Sequence, residues 1–142
     1  MNTFELKGIS KRYDHVVALQ EMDFAVPKGG TTVLIGQSGC GKSTLIRMLV
    51  GLVVPDTGEV VFEGDVLTLA NAPTLRRKMG YVIQEGGLFP HLTASGNVTL
   101  MARHLGEAKD WIQDRVLELC RLTHFPEDGL TRYPGELSGG QR

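Results

Sequence analysis

The sequence predicts an α/β fold, and three consecutive features predict it. Residues 31–35 form a short apolar run that is typical of a buried strand. Residues 36–44 are rich in glycine, and a helix-like apolar run begins at Leu45. This order of strand, glycine loop and helix is the context in which a phosphate-binding P-loop occurs. The loop reads Gly36, Gln37, Ser38, Gly39, Cys40, Gly41, Lys42, Ser43 and Thr44.

The residue types of this loop suit the binding of a polyphosphate. Gly36, Gly39 and Gly41 let the backbone curl until successive N–H groups point into one concavity. The start of the following helix adds its positive dipole end at the same place. Lys42 supplies a mobile positive charge for the β and γ phosphates, and the Ser43 hydroxyl is placed to bind Mg²⁺. The sequence therefore predicts that the chain binds a nucleoside triphosphate.

The elements around the loop are short and alternate between strand and helix. Residues 4–13 and 16–26 read as two strands joined by a tight turn, and residues 43–52 read as a helix. Further along, the pattern predicts a strand, a short helix and a second strand, at residues 59–62, 74–79 and 81–83.

After Gln84 the pattern becomes helical. Residues 110–122 place Ile112, Val116 and Leu119 at helical spacing, with charged residues on the opposite face. We therefore predict two parts, an α/β core over residues 1–90 and a small helical subdomain over residues 91–142.

Composition excludes several classes of protein. The chain has 142 residues, of which 42% are hydrophobic and 22% charged, and its formal net charge is −1. These values allow a globular core and give no indication of a nucleic-acid partner. The one basic run, Arg76, Arg77 and Lys78, is interpreted as a solvated helix face. The two cysteines form no disulfide framework, and no apolar stretch is long enough to span a bilayer.

A second motif, Leu137-Ser138-Gly139-Gly140-Gln141, stands near Arg142. With this motif, the chain resembles the nucleotide-binding subunit of ABC transporters, and the resemblance covers the whole sequence. Four matches occur in the order of the family. They are the aromatic A-loop residue Tyr13, the P-loop, the Q-loop glutamine Gln84 and the LSGGQ signature.

The resemblance implies roles for specific residues. ATP would contact Tyr13, position 18 (Ala18) and the P-loop residues, with the Tyr13 ring stacked on adenine. Lys42 and Gln84 would act in catalysis, while Ser43 and Gln84 would contact Mg²⁺. The signature would grip the ATP bound by a second subunit, in a head-to-tail dimer, through Ser138, Gly139, Gly140 and Gln141. Where the family commonly has an acidic residue, this chain has Gly96, which weakens the local helix.

The family's hydrolytic groups lie beyond the signature. They are an apolar strand that ends in Asp (the Walker B motif), a carboxylate that orients water and a histidine (the H-loop). Residues 52–56 imitate such a strand but carry Pro55, so they are rejected as a substitute. We therefore predict a C-terminally truncated fragment of a P-loop NTPase of ABC type, with an antiparallel β part. Such a fragment should bind ATP weakly, lack turnover and self-associate.

Residues 81–93 resemble the importers of osmoprotectants such as glycine betaine, choline or proline. In that group Leu88 and Phe89 would contact a transmembrane permease, and a solute-binding protein would act indirectly. The resemblance implies a cytoplasmic subunit, peripheral on the inner face of the membrane. Two alternatives stay open at this stage, a soluble ABC-type ATPase acting on DNA or ribosomes and a non-catalytic nucleotide-binding module.

Overall fold

The structure, a computed structural model, describes residues 1–84 and 86–142. It divides into two compact units, Met1–Tyr81 and Val82–Arg142, and each is described here by itself. The division into functional domains at residues 90 and 91 stays a prediction. Glu85, which belongs to the segment that resembles osmoprotectant importers, lies outside the described residues.

A four-stranded antiparallel sheet forms the first unit. Its strands are β1 (Asn2–Tyr13), β2 (Val16–Pro27), β3 (Thr57–Phe62) and β4 (Asp65–Val66), in the spatial order β2-β1-β3-β4. The predicted hairpin of the first two strands is confirmed, and β1 lies between β2 and β3. Asp14 turns the chain at a φ of 50°, in the left-handed region that aspartate tolerates in tight turns.

Helix α1 (Lys42–Leu49) packs against this sheet and closes its core. Met48 and Ile9 are fully buried there. The core consists of the buried side chains of Leu6, Ile9, Leu19, Leu45, Met48 and Val60. Because α1 follows the P-loop directly, this packing holds the loop at one end of the sheet.

Two predicted strands are not formed. Residues 31–35 and 81–83 have no strand structure, and the exposed fractions of Ile35 and Val82 are 92% and 94%. A strand of this kind needs a neighbour to pair with its backbone. Among the described residues, no backbone hydrogen bond holds residues 31–35. The predictions of strands at residues 31–35 and 81–83 are therefore wrong.

The predicted helix at residues 74–79 is split in two. Helix α2 (Ala72–Leu75) is followed by a 3-10 turn, Arg76–Lys78. Arg76 does not belong to a solvated face: its Nε and Nη2 donate to the Val50 and Gly51 carbonyls at 2.9 and 2.7 Å. The guanidinium thus binds the carbonyl end of α1, which the run of three basic residues did not indicate.

The second unit is helical. It contains α3 (Ala94–His104) and α4 (Lys109–Thr123), followed by 3-10 turns at Glu127–Thr131 and Pro134–Glu136. The predicted helix at residues 110–122 is confirmed, with Ile112, Val116 and Cys120 buried. Within the described residues, no helix combines the length and apolar character needed to cross a membrane.

Candidate functional site

Two glycines fix the bend of the P-loop. Gly39 and Gly41 have φ values of 82° and 93°, which other residues adopt only with strain. Gly41 is also the N-cap of α1. A Cβ on Gly41 would lie 2.4 Å from the Ala18 carbonyl oxygen and 2.7 Å from Leu19 Cδ2. The loop therefore lies directly against β2 at this glycine.

The start of α1 offers N–H groups at its exposed end. Leu45 is the first residue whose N–H donates within the helix, to the Gly41 carbonyl at 2.9 Å. The N–H groups of Lys42, Ser43 and Thr44 have no hydrogen-bond partner among the described residues. Donors of this kind, at a positive helix end, form an anion-binding site.

The Lys42 ammonium lies over the loop. Its Nζ donates to the carbonyls of Gly36 and Gln37, both at 2.7 Å. The same nitrogen is 3.4 Å from the Cys40 sulfur. A positive charge and the helix N–H groups thus belong to one short segment. The loop residues before Gly41 are exposed, and they are Gln37, Ser38, Gly39 and Cys40. Ser43 is exposed at the start of α1.

Tyr13 lies at the end of β1, and its side chain is half exposed. It pairs with Val16 of β2, two residues before Ala18, which contacts the loop at Gly41. The distance along the strand from Val16 to Ala18 is about 7 Å. Tyr13 and the P-loop therefore lie near the same end of the sheet. Ala18, which the resemblance predicts to contact ATP, faces the loop at Gly41 through its backbone carbonyl.

Sequence reasoning missed the group that anchors the end of β1. The Asp56 carboxylate accepts from Lys11 Nζ at 2.6 Å and from the Arg12 N–H at 2.7 Å. The hydrogen bond with Lys11, followed by that with the Arg12 backbone, lowers the pKa of Asp56 below its usual value. Lys11 Nζ is also 5.6 Å from the centre of the Tyr13 ring. No motif marks these residues, since Asp56 follows a proline in an ordinary turn.

Gln84, which is predicted to be the Q-loop glutamine, belongs to the second unit. Gln84 is exposed in a bend, and Gly86 and Gly87 follow with φ values of 73° and 84°. Of the residues predicted to contact a permease, Leu88 is partly buried and Phe89 is 48% exposed.

Asn97 of α3 holds the loop that contains Phe89. Its side-chain oxygen accepts from the Phe89 N–H at 2.7 Å. Its nitrogen donates to the carbonyls of Phe89, Leu92 and Thr93 at 3.0–3.1 Å. These contacts fix the shape of the segment before α3, and nothing in the sequence pattern singled out Asn97.

The signature residues form a closed turn. The Ser138 N–H donates to Gln141 Oε1 at 3.0 Å, and the Gln141 N–H donates to the Ser138 carbonyl at 3.0 Å. The buried Leu137 anchors the turn, while Ser138, Gly139 and Gly140 are exposed. The side chain of Gln141 therefore holds the backbone that carries the serine and glycines, in the manner of the glutamine in a capping box.

Two named proteins are similar to this chain. One is the Fe(3+) ions import ATP-binding protein FbpC of Mesorhizobium japonicum, 41% identical over 100% of this chain and 39% of its own length. The other is the glycine betaine/carnitine/choline transport ATP-binding protein OpuCA of Bacillus subtilis, 38% identical over 97% of this chain. The chain spans only 37% of the OpuCA length.

The fold is also similar to a solved structure. The dimeric, post-hydrolysis ATP-binding cassette MJ0796, bound to ADP and Pi, superposes with a TM-score of 0.88 and 30% sequence identity. That alignment covers 97% of this chain and 64% of the cassette. The likeness confirms the predicted fold class, a P-loop NTPase core of ABC type with an antiparallel β part and a helical part. The family model for ABC transporters matches residues 19–142. The chain belongs to the ABC transporter family.

Proposed function

We propose that this chain is the nucleotide-binding part of an ABC importer subunit, which couples ATP binding and hydrolysis to the uptake of a small solute. One observation supports this proposal most directly: Lys42 and the unpartnered N–H groups of residues 42–44 lie together at the start of α1. That arrangement suits the phosphates of ATP. Two import ATP-binding proteins, similar over nearly the whole chain, support the transport role.

Binding of ATP would exchange contacts that the loop makes with itself. Lys42 would leave the carbonyls of Gly36 and Gln37 for phosphate oxygens, which are better partners because they carry charge. The N–H groups of Ser43 and Thr44 would donate to the same phosphates without leaving any partner among the described residues. Tyr13 would then receive the adenine base at the end of β1.

Magnesium would be held by the Ser43 hydroxyl, which is exposed in the first turn of α1, together with Gln84. The ion would neutralise charge on the β and γ phosphates. Hydrolysis would use Lys42 and Gln84, with further groups that the family places beyond the signature.

We propose two partners, each of which would bind at an exposed segment. The exposed serine and glycines of the signature would bind the γ-phosphate of ATP held by a second subunit, since N–H groups in a turn can form an anion nest. Leu88 and Phe89 would contact the permease, in a loop shaped by Asn97. We place the subunit on the cytoplasmic face of the membrane, with a solute-binding protein acting through the permease.

We propose an osmoprotectant of the glycine betaine, choline or proline type as the solute, because residues 81–93 resemble that group of importers and OpuCA is a relative. Fe³⁺ is a second candidate, supported by the 41% identity with FbpC. Uptake of labelled betaine and of labelled iron by the complete importer would decide between them. Uptake of neither, with ATP binding intact, would refute both solutes.

The binding role can be tested by titrating the chain with ATP and Mg²⁺. We expect saturable binding that weakens by about tenfold or more in Lys42→Ala, because charged hydrogen bonds contribute about 1.5–3 kcal/mol. Lys28→Ala is the matched control, since Lys28 is an exposed lysine of the same unit whose ammonium group pairs with Glu63 at 3.5 Å. Equal binding by both variants would refute the proposed phosphate site.

A further inference from the structure

The end of β1 that carries Tyr13 is irregular. Its pairing with β2 shifts register between Ile9 and Lys11 and again between Lys11 and Arg12. A shift of one residue turns a side chain to the opposite face of a sheet. The strand pairing alone therefore leaves the direction of the Tyr13 side chain weakly specified, one residue after the second shift.

Asp56 compensates for this irregularity from the opposite side of β1. Its N–H donates to the Ser10 carbonyl at 2.9 Å, and its carboxylate accepts from the Arg12 N–H at 2.7 Å. The neighbouring Thr57 adds bonds to Ser10 Oγ at 2.7 Å and to the Gly8 carbonyl at 3.0 Å. Asp56 and Thr57 thus hold the backbone at Gly8, Ser10 and Arg12, close to the register shifts.

Lys11 extends this anchor to the aromatic ring. Its side chain is 17% exposed and is held at 2.6 Å by Asp56 Oδ1. Its Nζ lies 5.6 Å from the centre of the Tyr13 ring, within the range of a cation–π contact. One carboxylate therefore fixes both the backbone before Tyr13 and the cation beside its ring.

We propose that Asp56 and Lys11 are positioning residues that hold Tyr13 in place for the adenine base, so that they set the base-dependent part of nucleotide affinity. This inference rests on the proposed function, in which Tyr13 stacks on adenine. The anchor acts on the base and not on the phosphates, because Lys42 and the N–H groups of α1 make no hydrogen bond to Asp56 or Lys11. A residue that only stabilised the sheet would change the contributions of the base and of the phosphates to nucleotide affinity equally.

The test compares ATP with inorganic tripolyphosphate, which has the phosphates but no base. Stacking on one aromatic ring contributes about 1–3 kcal/mol. We therefore expect Tyr13→Ala to weaken ATP binding by about tenfold and Asp56→Asn by about threefold to fivefold. Tripolyphosphate affinity should change by less than about twofold in both variants. Glu59→Gln is the matched control, because Glu59 of β3 also pairs with a lysine of β1, Lys7, at 3.5 Å. It should leave both affinities unchanged.

A double variant tests whether Asp56 acts through Tyr13. In the Tyr13→Ala background, Asp56→Asn should have no further effect on ATP affinity, since the ring that it positions is gone. Additive losses, or equal losses for ATP and tripolyphosphate, would overturn the inference. The inference would also be overturned if Tyr13→Ala weakened ATP binding and Asp56→Asn left it unchanged. If Lys42→Ala leaves ATP binding intact, the proposed function itself fails, and this inference fails with it.

Discussion

At the scale of single residues, the two left-handed glycines of the P-loop differ in what surrounds them. Gly39 and Gly41 both have positive φ, but a Cβ on Gly39 would meet no atom within 4 Å. A Cβ on Gly41 would overlap the Ala18 carbonyl oxygen, which belongs to the backbone of β2 and cannot move without disturbing the sheet. Both glycines therefore allow the left-handed backbone, and Gly41 in addition allows the close approach to β2.

This difference predicts unequal effects of alanine. Gly39→Ala should lower the free energy of unfolding by about 1–2 kcal/mol, the cost of a left-handed residue with a side chain. Gly41→Ala should lower it further and weaken ATP binding more, because the loop must move away from β2. Denaturant unfolding and ATP titration of the two variants measure these effects. Identical losses would show that the close approach of Gly41 to β2 does not affect stability or ATP binding.

The residue scale also shows what sequence reasoning can find. The P-loop and the signature were predicted because their chemistry is local, with glycines, lysine and serine at fixed spacing. Asp56 and Asn97 could not be predicted, because their partners are 44 residues away in one case and backbone groups of a neighbouring loop in the other. An isolated Asp or Asn in a turn or helix has the same local pattern whether or not it makes such contacts.

At the scale of elements, Arg76 links the turn after α2 to the P-loop helix. The last carbonyls of a helix have no partner within it and carry a partial negative charge. Arg76 donates to two carbonyls just beyond α1, those of Val50 and Gly51. The helix therefore has N–H groups available in its first turn and a guanidinium bound just beyond its last turn.

We expect Arg76→Ala to lower the free energy of unfolding by about 1.5–3 kcal/mol, the contribution typical of a charged hydrogen bond. Arg76→Lys should retain the charge and lose the two-pronged contact, so its loss should be smaller. Arg77→Ala is the control and should stay within about 0.5 kcal/mol, since Arg77 is exposed. Denaturant unfolding measures all three. A loss in Arg77→Ala as large as that in Arg76→Ala would contradict this assignment.

Elements were predicted well where their stability is local and poorly where it needs a distant partner. The β1–β2 hairpin and α4 depend on a tight turn and on helical periodicity, and both were predicted. Residues 31–35 have the composition of a strand, yet pairing depends on a segment that no local pattern reveals. The sequence therefore predicts which residues prefer a sheet, and the available neighbours decide whether they join one.

At the scale of the whole molecule, residues 31–35 leave an unpaired apolar segment. Val33 and Ile35 are 71% and 92% exposed, and no backbone hydrogen bond holds the segment among the described residues. Unpaired backbone beside exposed apolar side chains is a template for association with a second copy. We expect the 142-residue chain to self-associate, with an apparent mass that rises with concentration in sedimentation velocity experiments.

A charged residue in this segment should oppose the association, because a lysine at an unpaired edge must lose its hydration when a second strand approaches. Val33→Lys should therefore shift the sedimentation profile towards the monomer. Leu69→Lys is the matched control: Leu69 is 74% exposed, but its neighbours Leu67 and Thr68 are held by hydrogen bonds to Val60 and Asn71. If both substitutions reduce association equally, general surface hydrophobicity drives it. If the unsubstituted chain is a monomer at all concentrations, residues 31–35 do not act as an edge.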